Sequence, residues 1–214
     1  MQKNTFIFDM DGVLFDTEKI SWRAAKRAAA AIGFAMTEAQ QKSFIGMNMR
    51  DYKKKLLTYI DDEAAADEYI RVFDVQSQVI IDTEGIPLKP GAREILEYLK
   101  TKDYTVALAS STKRERVEEN LRRTDFRKYF GVVFGGDNVR HSKPAPDIYL
   151  AACEEVGVDP REAYAVEDSF NGIRSAYAAN MGCIMIPDIV PPTDEIRAMC
   201  EFVFRDLFEM MKKF

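Results

Sequence analysis

Six short apolar runs punctuate this chain: Thr5–Phe8, Thr105–Ala109, Gly131–Phe134, Ala163–Val166, Cys183–Ile186 and Phe202–Phe204. They are rich in β-branched and aromatic residues and mostly lack polar alternation. Strands buried on both faces of a parallel sheet read this way. The longer amphipathic stretches between them predict helices over Pro90–Lys102, Lys113–Thr124, Pro146–Val156, Phe170–Asn180 and Asp194–Cys200. Pro90 and Pro146 fall where a first helical turn tolerates proline. Gly157 and Gly182 fall just past helix ends, where a left-handed residue is wanted. Alternation on this scale implies an α/β fold, a doubly wound parallel sheet with right-handed crossovers.

One segment breaks the alternation. Residues 17–86 carry only helical pattern, over Ser21–Ile32, Thr37–Phe44, Met49–Tyr59 and Glu63–Ile81, with Thr37-Glu38-Ala39-Gln40 as a capping box. Some 70 helical residues placed straight after the first strand predict a separate cap domain at 17–86 and a core of 1–16 and 87–214. Open α/β sheets bind ligands beyond the carboxyl ends of their strands. An insert leaving that edge is expected to act as a lid, hinged near Asp16–Thr17 and Gly85–Leu88.

Charge narrows the partners. A net charge of −5 over 214 residues gives no support for nucleic acid or an anionic membrane surface. An anionic substrate must therefore be captured by local groups. No run approaches the roughly 20 apolar residues that span a bilayer, and MQKNTFIFDMDG holds no apolar stretch of signal-peptide length. Cys153, Cys183 and Cys200 show no CxxC spacing, which fits a reducing cytoplasm. A cytoplasmic monomer acting on a small metabolite is the expectation.

The strand ends hold the chemistry. In Phe6-Ile7-Phe8-Asp9-Met10-Asp11-Gly12, two carboxylates stand one residue apart at the mouth of a buried strand. Like charges this close repel unless a cation lies between them, and a hard ion such as Mg²⁺ takes oxygen ligands. Val106 to Ala109 runs into Ser110-Ser111-Thr112, hydroxyls opening a helix whose start can serve as an anion pocket. Ser142-Lys143-Pro144-Ala145-Pro146 aims one lysine from a stiffened loop, and Ala163 to Val166 ends in Glu167-Asp168. Each feature alone reads as an ordinary cap, turn or solvated charge. Four strand ends bearing acid pair, hydroxyls, lysine and acid pair make one site. Asp9, Glu167 or Asp168, and a backbone carbonyl would bind Mg²⁺. Ser110 and Lys143, with backbone N–H groups near Asp11 and Ser111, would hold a phosphoryl group. One carboxylate can then act as nucleophile and the other as general acid and base.

FDMDGV, ALASS, SKPAPD and VEDSFNGI resemble, in order, the four motifs of the haloacid dehalogenase superfamily. They are similar to its subgroup with a helical cap after the first motif, which includes β-phosphoglucomutase and many sugar-phosphate phosphatases. The resemblance implies a Rossmann-like sheet with the first strand central. It implies Asp9 as nucleophile and Mg²⁺ ligand, and Asp11 as general acid/base with its carbonyl on the metal. Ser110 and Lys143 would bind phosphate, and Asp168 with Glu167 would complete the metal site. Members that cleave carbon–halogen bonds are expected to lack the second aspartate, so Asp11 favours phosphoryl chemistry.

Phosphatase and phosphomutase share these motifs and differ in whether water or a sugar hydroxyl accepts the phosphoryl group. The mutases are expected to carry a histidine shortly after the first motif and basic cap residues. Here Ser21 stands at the matching position, the single histidine is His141, and no Lys or Arg lies between Val72 and Leu88. A phosphatase is therefore expected, with a mutase or a non-catalytic phospho-ligand binder as alternatives. Within the cap, Asn48 can hydrogen-bond a hydroxyl and Arg50 can pair with an anion, which makes both candidate substrate-binding residues.

Overall fold

The computed structural model describes residues 3–44, 47 and 49–214. Six parallel strands form one sheet: β1 (Thr5–Phe8), β2 (Thr105–Ala109), β3 (Val132–Phe134), β4 (Ala163–Glu167), β5 (Gly182–Met185) and β6 (Phe202–Val203). Their order is β3-β2-β1-β4-β5-β6, so β1 is central and the winding reverses between β1 and β4. In register, Ile7 faces Ala107 on one side and Ala165 on the other. Every residue of β1, β4 and β5 is buried, as their unbroken apolar runs demand. The fold is the α/β doubly wound sheet that the alternation predicts.

The chain divides into two compact units, one of Asp16–Pro87 and one of the remaining residues. The first unit is helical: α1 (Glu18–Ala31), α2 (Glu38–Lys42), α3 (Met49–Ile60) and α4 (Glu63–Glu84). Ala25, Ala28 and Ala29 on α1 pack in a core with Tyr52, Leu56, Ala66 and Tyr69. Arg23 clamps Glu84 through two bonds of 2.6 Å, joining α1 to the end of α4. Thr37 and Gln40 form the expected capping box on α2. Among the described residues, no helix is long and apolar enough to cross a membrane.

The second unit carries the sheet with α5 (Ala92–Thr101), α6 (Arg114–Arg123), α7 (Asp147–Val156), α8 (Phe170–Ala178), α9 (Asp194–Met199) and α10 (Leu207–Met211). On one face of the sheet, Ile7, Ala107, Ala165 and Cys183 meet Tyr149 and Ala152 of α7 and Ile173 and Ala176 of α8. Several local expectations need correction. Pro90 precedes α5, whose cap is the left-handed Gly91, and Pro146 caps α7 instead of entering its first turn. Gly182 opens β5, and the left-handed residue beyond α8 is Asn180 at φ +61°. The short polar side chain of asparagine tolerates that backbone. Helix α10, capped by Asp206, was not expected from its short pattern.

The loop after β3 is fitted closely to the loop after β2. A Cβ on Gly136 would stand 2.2 Å from the Ser111 carbonyl oxygen, and one on Gly135 would stand 2.2 Å from the Arg114 nitrogen. Gly136 N–H donates to the Thr112 carbonyl at 2.8 Å, which locks this approach. Gly136→Ala is therefore expected to destabilise the protein by about 1–3 kcal/mol through overpacking. Gly131→Ala places its methyl in open space and should change stability by less than about 0.5 kcal/mol. Urea unfolding midpoints at constant m-value check the pair, and equal midpoints would mean that the loop yields.

Candidate active site

Asp9 leaves β1 still tied to the sheet, its N–H donating to the Val166 carbonyl at 2.9 Å. The chain then turns on itself. Leu14 and Phe15 N–H groups reach the Met10 carbonyl at 3.0 and 3.1 Å, and Gly12 N–H reaches the Phe15 carbonyl at 2.8 Å. Gly12 has φ +80°, and a Cβ there would lie 2.2 Å from Asp168 Oδ2. Bare backbone is needed twice over, for the turn and for the carboxylate that lies against it.

Lys143 is the cation at the centre. Its Nζ donates to Asp9 Oδ1 at 2.5 Å, to Glu167 Oε1 at 2.6 Å and to the Ala109 carbonyl at 3.0 Å. The residue is only 6% exposed, and three strand ends supply its partners. Burial works against its charge, but Asp9 and Glu167 outweigh burial and hold the ammonium above its ordinary range. Glu167 is fully buried and also accepts from Tyr149 Oη at 2.7 Å and from Ser169 Oγ at 3.2 Å. Burial, then the charges of Glu167 and Asp9, keep the Tyr149 hydroxyl protonated far above its usual limit.

A second group surrounds Asp11. Thr112 Oγ1 donates to Asp11 Oδ2 at 2.9 Å, and Ser110 Oγ approaches the same oxygen at 3.4 Å. Ser110 is buried and its Oγ accepts from Thr112 N–H at 3.1 Å, while Ser111 is half-buried. The first amide of α6 is not an open anion site, because Arg114 N–H already donates to Asp137 Oδ1 at 2.8 Å. The anion pocket expected at this helix start is thus narrowed to the Ser110–Thr112 loop.

The structure brings Asp9, Glu167 and Asp168 together, with one oxygen of each lying within 4.8 Å of the others. Three hard oxygen donors suit Mg²⁺ and not a thiophilic metal. The Asp11 carboxylate belongs to the hydroxyl side of the site. Asn48 lies outside the described residues, and Arg50 is exposed on α3 in the helical unit. Two participants escaped the sequence reading as site residues. Thr112 read as part of a helix start, and Tyr149 lay unremarked within the helix expected over Pro146–Val156. The only hint of Thr112 was its place as third hydroxyl after β2.

A sequence model of the haloacid dehalogenase-like hydrolases matches residues 6–186. The phosphorylated carbohydrates phosphatase of Thermotoga maritima is 35% identical over 196 residues, covering 91% of this chain and 89% of its own. Hexitol phosphatase B of Escherichia coli is 27% identical, covering 97% and 94%. Among solved structures, a putative β-phosphoglucomutase from Thermotoga maritima superposes with a TM-score of 0.79 at 30% identity, covering 100% of this chain and 98% of that one.

Burial pushes the Asp9 carboxyl up to about 8, with Lys143 opposing the shift and Glu167 and Asp11 adding to it. A cation bound at Asp9 must displace that proton, so metal affinity and pH are linked. The proton is held below the raised value, so Mg²⁺ affinity should climb as pH rises towards 8 and level off above it. Calorimetric Mg²⁺ titrations in buffers of different ionisation enthalpy should show proton release at pH 7. A pH-independent affinity without proton release would contradict the linkage.

Proposed function

Because the chain belongs to the haloacid dehalogenase-like hydrolase family, we propose that it is a Mg²⁺-dependent phosphatase of small phosphate monoesters. Sugar and polyol phosphates are the leading substrate class, given the names of its relatives. The observation that carries this reading is the division of labour between two carboxylates two residues apart. Asp9 is buried beside an ammonium at 2.5 Å, whereas Asp11 is half-buried and held by a threonine hydroxyl at 2.9 Å. Paired acids in contrasting environments suit a nucleophile and a proton-transfer group.

In the proposed reaction, a carboxylate oxygen of Asp9 attacks phosphorus and the ester P–O bond breaks. Asp11 gives its proton to the departing alkoxide, which leaves as the alcohol. Asp11, now ionised, takes a proton from water as that water attacks the aspartyl phosphate. Inorganic phosphate leaves, Asp9 is regenerated and Asp11 is reprotonated. Ser110 stands at the strand ends to hold a phosphoryl oxygen. The Lys143 ammonium, its three N–H groups directed at Asp9, Glu167 and Ala109, acts on the phosphoryl group through its charge. Mg²⁺ held by Asp9, Asp168 and the Asp11 carbonyl would neutralise phosphoryl charge. Glu167 already accepts from Lys143, Tyr149 and Ser169, and on this reading it orients the lysine.

The helical unit enters the chain directly after the turn that carries Asp11. We assign leaving-group selection to it, with Asn48 and Arg50 as the candidate contacts. Ser21 and the stretch from Val72 to Leu88, free of Lys and Arg, favour water as acceptor.

Asp9→Asn should lose nearly all turnover while keeping its fold. Asp11→Asn should be slowed by about 10²–10⁴-fold, the usual worth of general acid–base catalysis. Phosphate release from a panel of hexose and hexitol phosphates, with p-nitrophenyl phosphate as a minimal ester, provides the measurement. Wild-type turnover in Asp9→Asn, or full activity in chelator, would remove the mechanism. Efficient conversion of a hexose 1-phosphate to its 6-phosphate would replace the phosphatase with a mutase.

A further inference from the structure

We propose that Tyr149 is a positioning residue for the phosphoryl-transfer site: its hydroxyl shares the Glu167 carboxylate with Lys143 and so keeps the lysine directed at Asp9. The inference rests on the phosphatase reading and deepens it. Tyr149 is fully buried in the first turn of α7 and belongs to the core cluster that includes Ile7, Ala109 and Ile148. A phenylalanine would fill this core equally well. A buried hydroxyl instead demands a partner, and the one it finds is Glu167 Oε1 at 2.7 Å.

That oxygen is also the one Lys143 uses, at 2.6 Å. The remaining directions around Glu167 are closed. Oε2 receives Ser169 Oγ at 3.2 Å and Ser169 N–H at 3.4 Å. The backbone of α8 presses from behind, since a Cβ on Gly172 would fall 1.9–2.0 Å from the carboxylate atoms. The carboxylate therefore cannot swing away. The variable left is how strongly Oε1 draws on the ammonium.

Lys143 has three N–H bonds and spends one each on Asp9, Glu167 and Ala109. A donor from Tyr149 draws off part of the negative charge on Oε1. That loosens the hold of Glu167 and leaves more of the lysine's charge for Asp9 and a phosphoryl group beside it. The tyrosine ring stands 4.9 Å from Nζ, so the same residue bounds the ammonium from a further side. The partner of the Tyr149 hydroxyl is Glu167, and Tyr149 acts through it.

Tyr149→Phe keeps the ring and removes the hydroxyl. With p-nitrophenyl phosphate, kcat should fall about tenfold, in line with loss of one hydrogen bond to a charged group. The inhibition constant for inorganic phosphate should rise several-fold, while the Mg²⁺ activation constant stays within about twofold. In a Glu167→Gln background, the same substitution should cost less than about twofold more, because there is no longer a charge to share. Wild-type kcat and phosphate inhibition in Tyr149→Phe would overturn the proposal. So would an equal loss in both Glu167 backgrounds, which would mark a packing role. Calorimetric binding of inorganic phosphate to the wild type separates the two levels. If the wild type neither binds phosphate nor hydrolyses any ester, the phosphatase reading falls and takes this inference with it. If the wild type does both and Tyr149→Phe matches it, only the inference falls.

Discussion

A single buried ammonium holds the active end of the sheet together. Phe8 and Val166 lie opposite each other in parallel register, so the residues that follow them, Asp9 and Glu167, emerge side by side. Two adjacent carboxylates in a buried place would drive their strand ends apart. Lys143 lies between them at 2.5 and 2.6 Å and takes its third partner, the Ala109 carbonyl, from the end of β2. Breaking such a buried cluster from one side typically costs about 3–5 kcal/mol, because the partners are left charged and unpaired. The position of the lysine thus fixes three neighbouring strand ends as one surface.

Around that centre the two aspartates of the first turn go separate ways. Asp9 points to the lysine, and Asp11, two residues on, points to Thr112 and Ser110. Gly12 makes the separation possible by turning through φ +80° while Asp168 lies against its bare Cα. The loop after β2 is braced in turn by Gly135 and Gly136, whose missing side chains admit the backbone of Ser111 and Arg114. Backbone placement decides which carboxylate meets a cation and which meets a hydroxyl. The same side chain, aspartate, thereby stands in two different environments.

Much of this was legible in the sequence, for identifiable reasons. Strands buried on both faces must be apolar throughout, so Thr5–Phe8 and Thr105–Ala109 announced their own limits. Each charged group alone suits a cap, a turn or a solvated surface, but their recurrence at successive strand ends made Asp9, Asp11, Lys143, Glu167 and Asp168 visible as a set. What stayed hidden was whatever a residue type leaves ambiguous. Tyr149 satisfies the helical core pattern, and only its hydroxyl, reaching across to Glu167, reveals another use. Thr112 and Asp137 both suit helix starts, yet only Asp137 caps α6, while Thr112 turns its hydroxyl to Asp11. Asn180 took the left-handed position that a glycine was expected to fill, because asparagine tolerates the positive φ that glycine adopts freely.

The acids gathered at the strand ends also decide what the site can hold. One oxygen each of Asp9, Glu167 and Asp168 lies within 4.8 Å of the others, and Asp9 and Glu167 are buried where uncompensated charge is costly. Glu167 is compensated by three donors of its own, Lys143, Tyr149 and Ser169. A proton on Asp9 relieves uncompensated charge in one way and a divalent cation in another. On the proposed reading, only the cation leaves the Asp9 oxygen unprotonated, as a nucleophile must be. The burial and neighbouring acids that raise the Asp9 carboxyl are, on the same reading, also the features that would favour a cation beside it and so keep Asp9 available for chemistry.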